Sequence, residues 1–398
     1  MIHGIWQKLG NWPTELINSW KTKSNWIWFH SVSVGELNAV WPLIIEINKL
    51  KPNYPIMLSC TTKASYNLAC KLSYEKKILV FYFPFDLPHI VKSLLNYAKI
   101  KLFIIAETEI WPNILTACKE KNVPVLLINA RLSDKSFRNY YLLKFYFKKI
   151  INLFTEVLAQ STSDGEKFIK LGLDSKKLKV TGNIKFSQVQ SSNGKDIPLS
   201  STFTLDTKNI TNIIFASTHR GEEKIAINTY KKFFLECPDL RLTIAPRHLE
   251  RIEEITDLVS RNGFKPLLKT NNIRPNTRDE ILIFNTIGEL SSYFKFFQIT
   301  IIGGTFVRIG GHNFLEPIRA KSYTIIGPYD FKIKELSSIF KENGALVQVN
   351  NTNDLIIKIK EAIENKEIRN DAINNGIKII NENQRIFIET TKQILTYL

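Results

Sequence analysis

The sequence is poor in the residues that most often carry metal or redox chemistry, with four cysteines, two methionines and six histidines in 398 residues. Cys60, Cys70, Cys118 and Cys237 form no C-x-x-C pair, which argues against a zinc site and suits a reducing compartment. Acidic residues are scarce as well. Thirty-seven Asp and Glu face 54 Lys and Arg, a formal net charge of +17. Such a balance predicts anionic partners (nucleic acid, phosphorylated small molecules or an anionic membrane surface) without choosing among them. Long apolar runs are missing: none approaches the ~20 residues needed to cross a bilayer. The opening "MIHGIWQKLGNWPTEL" lacks the apolar core of a signal peptide, so a cytoplasmic chain, soluble or peripheral, is expected. There is no G-x-x-x-x-G-K-[ST] loop, no G-x-S-x-G elbow and no strand–G-x-G-x-x-G–helix unit. Nor is there a D-x-D pair or a His/Cys/carboxylate cluster at metal spacing, which disfavours a diphosphate donor held by a metal.

What is present reads as globular, at 44% hydrophobic and 23% charged, and the length exceeds what one core usually fills. Short runs rich in Ile, Val and Phe alternate with helical periodicity: "NWIWFHS", "PIMLSC", "KLFIIAE", "PVLLINA", "EVLAQS" and "LKVTG". A second series follows with "NIIFAS", "LRLTIAP", "ILIFNT", "ITIIGG", "YTIIGP" and "ALVQV". The alternation predicts an α/β protein of two doubly wound, Rossmann-like parallel-sheet domains. The first domain is expected over 1–186 and the second over 206–398, with a polar linker at 187–205, "SQVQSSNGKDIPLSSTF" and its flank. The last helix could pack back on the first domain. In such sheets ligands meet the carboxyl ends of the strands.

The candidate residues fall at such ends. In "WFHSVSVGELNAVWPLI" a lone glutamate, Glu36, sits at a strand-to-helix turn, where it reads either as a first-turn cap or as a general base. "AETEIWPN" places Glu107 and Glu109 two apart after a buried strand, on the same side if the chain stays extended. Trp111-Pro112-Asn113 then reads as a rigid stop and helix start. "TGNIKF" puts Lys185 beside the linker, as a cation for a phosphate or carboxylate or as an ordinary surface lysine. "IAPRHLERIEEI" offers Arg247 as a bidentate phosphate ligand before a helix, with His248 the weaker candidate. In "IIGGTFVRIGGHNFLEP" paired glycines permit close backbone approach. Asn313 and Glu316 follow three apart, where a carboxylate could accept ribose hydroxyls and free amides could hold a phosphate.

At these residues the sequence resembles the 3-deoxy-D-manno-octulosonic acid (Kdo) transferases. The likeness runs through "HSVSVGE", "YFPFDLP", "ETEIWPN", "NARLSDKSFRNY", "LAQSTSDGEKFIKLG", "TGNIKF", "STHRGEE", "PRH", "GELSSYF", "GGHNFLEP" and "GPYDFK". It implies a GT-B architecture of two domains facing a cleft, an inverting transfer of Kdo from CMP-Kdo to a lipid A precursor in lipopolysaccharide synthesis, and no cofactor or metal. It further implies Glu36 as proton acceptor and Glu107 and Lys185 as transition-state stabilisers. Pro246, Arg247, Ile287, Gly288, Glu289, Asn313, Phe314, Leu315 and Glu316 match the positions that bind CMP. Family members commonly begin with an apolar membrane anchor, which this chain lacks. A peripheral place on the cytoplasmic face of the bacterial inner membrane is therefore expected. "SFRNYYLLKFYFKKIINLF", Ser136 to Phe154, is a candidate membrane contact through its aromatics and Arg138, Lys144, Lys148 and Lys149; the other reading is a helix whose aromatics face the core. A uridine-donor transferase or nucleotide-sugar 2-epimerase is the nearer alternative. A nucleic-acid-binding protein is the remoter one, since no recognition helix, zinc finger or RNP-like strand is present.

Overall fold

A computed structural model describes residues 2–74, 76–184, 204–207 and 210–398. Lys185 and positions 187–203 of the expected linker lie outside the described residues. The chain divides into two compact units, 1–191 with 382–398, and 192–381.

In the first unit β1 (Trp26–Ser31), β2 (Ile56–Cys60), β3 (Leu79–Tyr82), β4 (Ile100–Ala106), β5 (Val125–Ala130), β6 (Glu156–Ala159) and β7 (Leu178–Val180) form one sheet. The order is β3-β2-β1-β4-β5-β6-β7, and every pair is parallel. Both faces are covered, so the central strands read as continuous apolar runs. Alternate side chains divide between two cores. Trp26 and Trp28 join Trp20, Phe81 and Phe103 on one face, with Trp28 stacked on Phe103 at 3.9 Å between ring centres. Ile27 and Phe29 join Leu43, Ile104 and, from the helix Lys366–Leu395, Ile386, Phe387 and Ile394 on the other. Ile386 lies so close to Gly182 that a Cβ there would meet it at 2.3 Å, which requires glycine where the chain turns at φ +107°.

The second unit repeats the plan with β8 (Thr211–Thr218), β9 (Leu240–Pro246), β10 (Lys265–Leu268), β11 (Glu280–Ile283), β12 (Ile299–Ile302), β13 (Tyr323–Ile326) and β14 (Val347–Gln348). Its order is β10-β11-β9-β8-β12-β13-β14, again parallel throughout. In each unit the chain winds away from its first strand on one side and then resumes on the other. The winding reverses between β1 and β4, and between β8 and β12. The loops leaving those strand pairs diverge to opposite faces, and the crevice left between them is where open α/β sheets bind ligands.

The stretch 136–154 is broken at Leu143 into the helices Asp134–Leu142 and Lys144–Ile151. Its apolar side chains divide between core and surface, so the core-facing reading holds in part. Ile150, Ile151 and Phe154 are buried, and Phe137 and Tyr140 pack against the same core, while Leu142 and Phe145 at the break are 83% and 95% exposed. Among the described residues no helix is long and apolar enough to cross a membrane.

Candidate active site

At the first reversal, Glu36 occupies the third position of the helix Val34–Leu50, three residues after its cap, Ser33. The S-x-x-E spacing makes a reciprocal cap. Ser33 Oγ accepts from the Glu36 amide at 3.2 Å and donates to Glu36 Oε1 at 3.1 Å, while the Val32 amide donates to Oε2 at 2.6 Å. A carboxylate has about four acceptor positions, so each oxygen keeps one. Glu36 is 9% exposed. Burial raises its pKa first, against the lowering by the Val32 amide, and the charge of Glu107 raises it further. The capping role and an available, proton-hungry carboxylate therefore coexist in one side chain.

Across the reversal, Glu107 follows β4 directly and is buried, with its amide donating to the Ile128 carbonyl at 2.9 Å and Oε2 lying 3.3 Å from Arg131 Nε. The expectation that Glu107 and Glu109 share a side of extended chain does not hold: Glu107 has φ +64°, so the strand turns at that residue. Glu109 is nonetheless electrostatically part of the group. Burial, then the charges of Glu36 and Glu107, push it up to about 7. Pro112 begins the helix Pro112–Glu120, whose first amides are capped from a distance: Asp86 accepts from Asn113 N at 2.9 Å and Ile114 N at 2.8 Å. The "FPFDLP" and "WPN" motifs thus belong to scaffolding that holds the Glu109 loop. Lys185 lies outside the described residues, but the residue before it, Ile184, is held by its amide to Asn129 Oδ1 at 3.1 Å.

In the second unit Pro246 ends β9 buried, and the Arg247 amide donates to the Thr218 carbonyl at 3.0 Å with its side chain exposed. Ile287 is 83% exposed and Gly288 has φ +82°; Glu289 pairs with Lys269 and accepts from Thr286 Oγ1 at 3.3 Å. Asn313 Nδ2 donates to Glu316 Oε1 at 2.9 Å, and Asn313 Oδ1 accepts from the Leu315 amide at 3.0 Å. One of the amides expected to be free for a phosphate is thereby taken, and the helix that starts there, Leu315–Arg319, is short. Phe314 and Leu315 are buried, so neither offers its side chain to a ligand in solvent. Burial raises the Glu316 pKa, against lowering by Asn313 and Arg319.

Between β8 and β12 the paired glycines expected to permit close backbone approach stand beside acids and histidines that sequence reasoning did not single out. Gly303 follows β12, and a Cβ there would meet the Ser217 carbonyl oxygen at 2.2 Å, so the two strand ends close only on glycine. Glu222, 1% exposed, accepts from the amides of His219 at 2.9 Å, Gly304 at 2.8 Å and Phe306 at 2.9 Å and so ties the two loops together. Glu223 accepts from Thr218 Oγ1 at 2.9 Å and from both Arg251 amino groups at 2.8 and 3.1 Å. Above this base His219 Nε2 and His312 Nε2 are 2.7 Å apart. "STHRGEE" and "GGHNFLEP" contain both histidines, but a separation of 93 residues gives no local sign that they meet.

Residues 3–188 match the family model described as 3-Deoxy-D-manno-octulosonic-acid transferase (kdotransferase). The 3-deoxy-D-manno-octulosonic acid transferase of Rickettsia typhi is 32% identical over 94% of this chain and 79% of its own length. Among solved structures, the C-terminal CMP-Kdo binding domain of WaaA from Acinetobacter baumannii is 21% identical, covering 44% of this chain and 90% of that one with a TM-score of 0.41. The 3-deoxy-D-manno-octulosonic acid transferase of Haemophilus influenzae is 30% identical over 90% of this chain and 84% of its own length, and at that extent the chain belongs to the Kdo transferase family.

Proposed function

We propose that the protein is an inverting glycosyltransferase that moves Kdo from CMP-Kdo to a lipid A precursor, with Glu36 as general base. The observation that carries this reading is the state of Glu36: buried, oriented by two hydrogen bonds, raised in pKa and placed where the sheet's winding reverses. Glu36 takes the proton of an acceptor hydroxyl while that oxygen attacks the anomeric carbon of Kdo and the CMP phosphate leaves from the opposite face. Glu107 and Lys185 stabilise the charge that develops, and Arg247 offsets the negative charge gathering on the leaving phosphate. Pro246, Ile287 to Glu289 and Asn313 to Glu316 hold the CMP moiety. No metal is assigned a role, and transfer is expected to survive EDTA.

The exposed turn around Leu143 supports a peripheral place on the cytoplasmic face of the inner membrane. Leu142, Leu143 and Phe145 stand in solvent among Arg138, Lys144, Lys148 and Lys149, a combination that suits an anionic lipid surface.

The deciding assay is Kdo transfer from enzymatically regenerated CMP-Kdo to a tetraacylated lipid A precursor, for wild type and Glu36→Gln. Loss of ~10²–10⁴-fold in kcat is expected of a removed general base. A folded wild type that binds CMP and transfers nothing would overturn the acceptor; an active Glu36→Gln would overturn the base.

A further inference from the structure

The rings of His219 and His312 are nearly coplanar, 7° apart, with centres 5.0 Å apart and Nε2 atoms 2.7 Å apart. Those values describe two imidazoles meeting edge to edge through one N–H···N hydrogen bond; face-to-face stacking would bring the centres closer. The bond fixes where protons can be. With both rings neutral, one Nε2 carries the shared proton, and the accepting ring must carry its own proton on Nδ1. The donating ring then has a bare Nδ1. No hydrogen bond holds either Nδ1 among the described residues. A neutral pair therefore shows a ligand one N–H and one lone pair; one further proton turns both Nδ1 atoms into donors.

The surroundings decide which state the pair adopts. Arg247, Arg251 and Lys332 act on it as cations, and the ring centre of His248 is 5.4 Å from that of His219. The acids beside it are already engaged: Glu222 by three amides, Glu223 by Arg251 and Thr218. Arg247 and Lys332 form no ion pair among the described residues. Burial first, then these cations, push His312 down to about 4 and lower His219. An anion entering here would offset the cations and at the same time need the second donor.

We propose that His219 and His312 form an oxyanion subsite for the donor that takes up a proton from solvent when the anion binds. The proposal rests on the donor reading above. The donor presents two such groups, a phosphate and, on Kdo, a carboxylate beside the anomeric carbon.

The test is calorimetric titration of the intact protein with CMP at pH 6.5 in two buffers of different ionisation heat, repeated from pH 6 to 8. Uptake of up to one proton is expected, with affinity tightening by up to tenfold per pH unit on the acid side. Uptake should vanish in His219→Gln and His312→Gln and persist in His248→Gln, an exposed histidine beside the pair. If CMP binds without uptake, the same proton dependence is read in the KM for CMP-Kdo; its presence there, and loss in His312→Gln, assigns the sugar carboxylate. Its absence from both measurements overturns the subsite while leaving the donor reading standing. Wild-type protein that binds no CMP at any pH overturns both. The CMP phosphate itself exchanges a proton at about pH 6. If a variant does not fold, the wild-type result therefore counts only where the KM for CMP-Kdo, whose phosphodiester does not titrate near neutrality, shows the same proton dependence.

Discussion

Glu36 closes a helix cap and is proposed as the base, two roles that a single substitution can separate. Glutamine at the third position of a helix still completes the reciprocal cap, so Glu36→Gln should melt within a few degrees of wild type while losing transfer. Its raised pKa places the acid limb of kcat/KM above the usual carboxylate range, with activity growing as the base deprotonates. Part of that rise comes from Glu107, so Glu107→Gln should move the limb to lower pH; a limb that stays put would remove the coupling. Glu109 makes a separate prediction about stability. Its folded-state pKa is raised to about 7, so the folded protein holds this proton more tightly than the unfolded chain. The associated stability is complete below the ordinary carboxylate value and is lost as pH rises through about 7. Glu109→Gln should then be near neutral at pH 4.5 and stabilising at pH 8, by about 1 kcal/mol once partial solvent screening is allowed for. Equal stability differences at both pH values, measured by denaturant melts, would contradict it.

Elements depend on partners far away in the chain. The helix Pro112–Glu120 has no side-chain cap of its own and borrows Asp86, so Asp86→Ala should cost about 1–2 kcal/mol and loosen the Glu109–Trp111 loop. For a domain of this size that is a fall of about 2–4 °C per kcal/mol. The broken helix pair at Leu143 carries a prediction of its own. Replacing Arg138, Lys144, Lys148 and Lys149 by glutamine should weaken sedimentation with anionic vesicles and leave the melting temperature unchanged, and equal binding would remove the membrane contact. Strands also differed in legibility. Those buried on both faces announce themselves as apolar runs, whereas β3 and β10 are not visible in the pattern. Both lie at sheet edges and are partly exposed, and β10 contains Pro266, which an edge tolerates because no ladder bond is lost on its open side.

At the scale of the whole molecule, the charge of +17 says only that partners are anionic, and the donor base must be found by experiment. CMP should raise the melting temperature where UMP and UDP do not, since a ligand at a hundred times its Kd stabilises by about 2.7 kcal/mol. Equal shifts from UMP would favour a uridine donor. The primary sequence by itself determined the alternation of buried strands and helices, hence two parallel-sheet units, because apolar periodicity is a local property. It also determined the Glu36 cap, since S-x-x-E closes within one helical turn. Only the tertiary structure decided where each sheet's winding reverses, because strand order depends on pairings between distant segments. That order sets Glu36 near Glu107 and joins His219 to His312 across 93 residues. It also spent Asp86, Glu222 and Glu223 on holding loops, a use of charge that no local pattern distinguishes from chemistry.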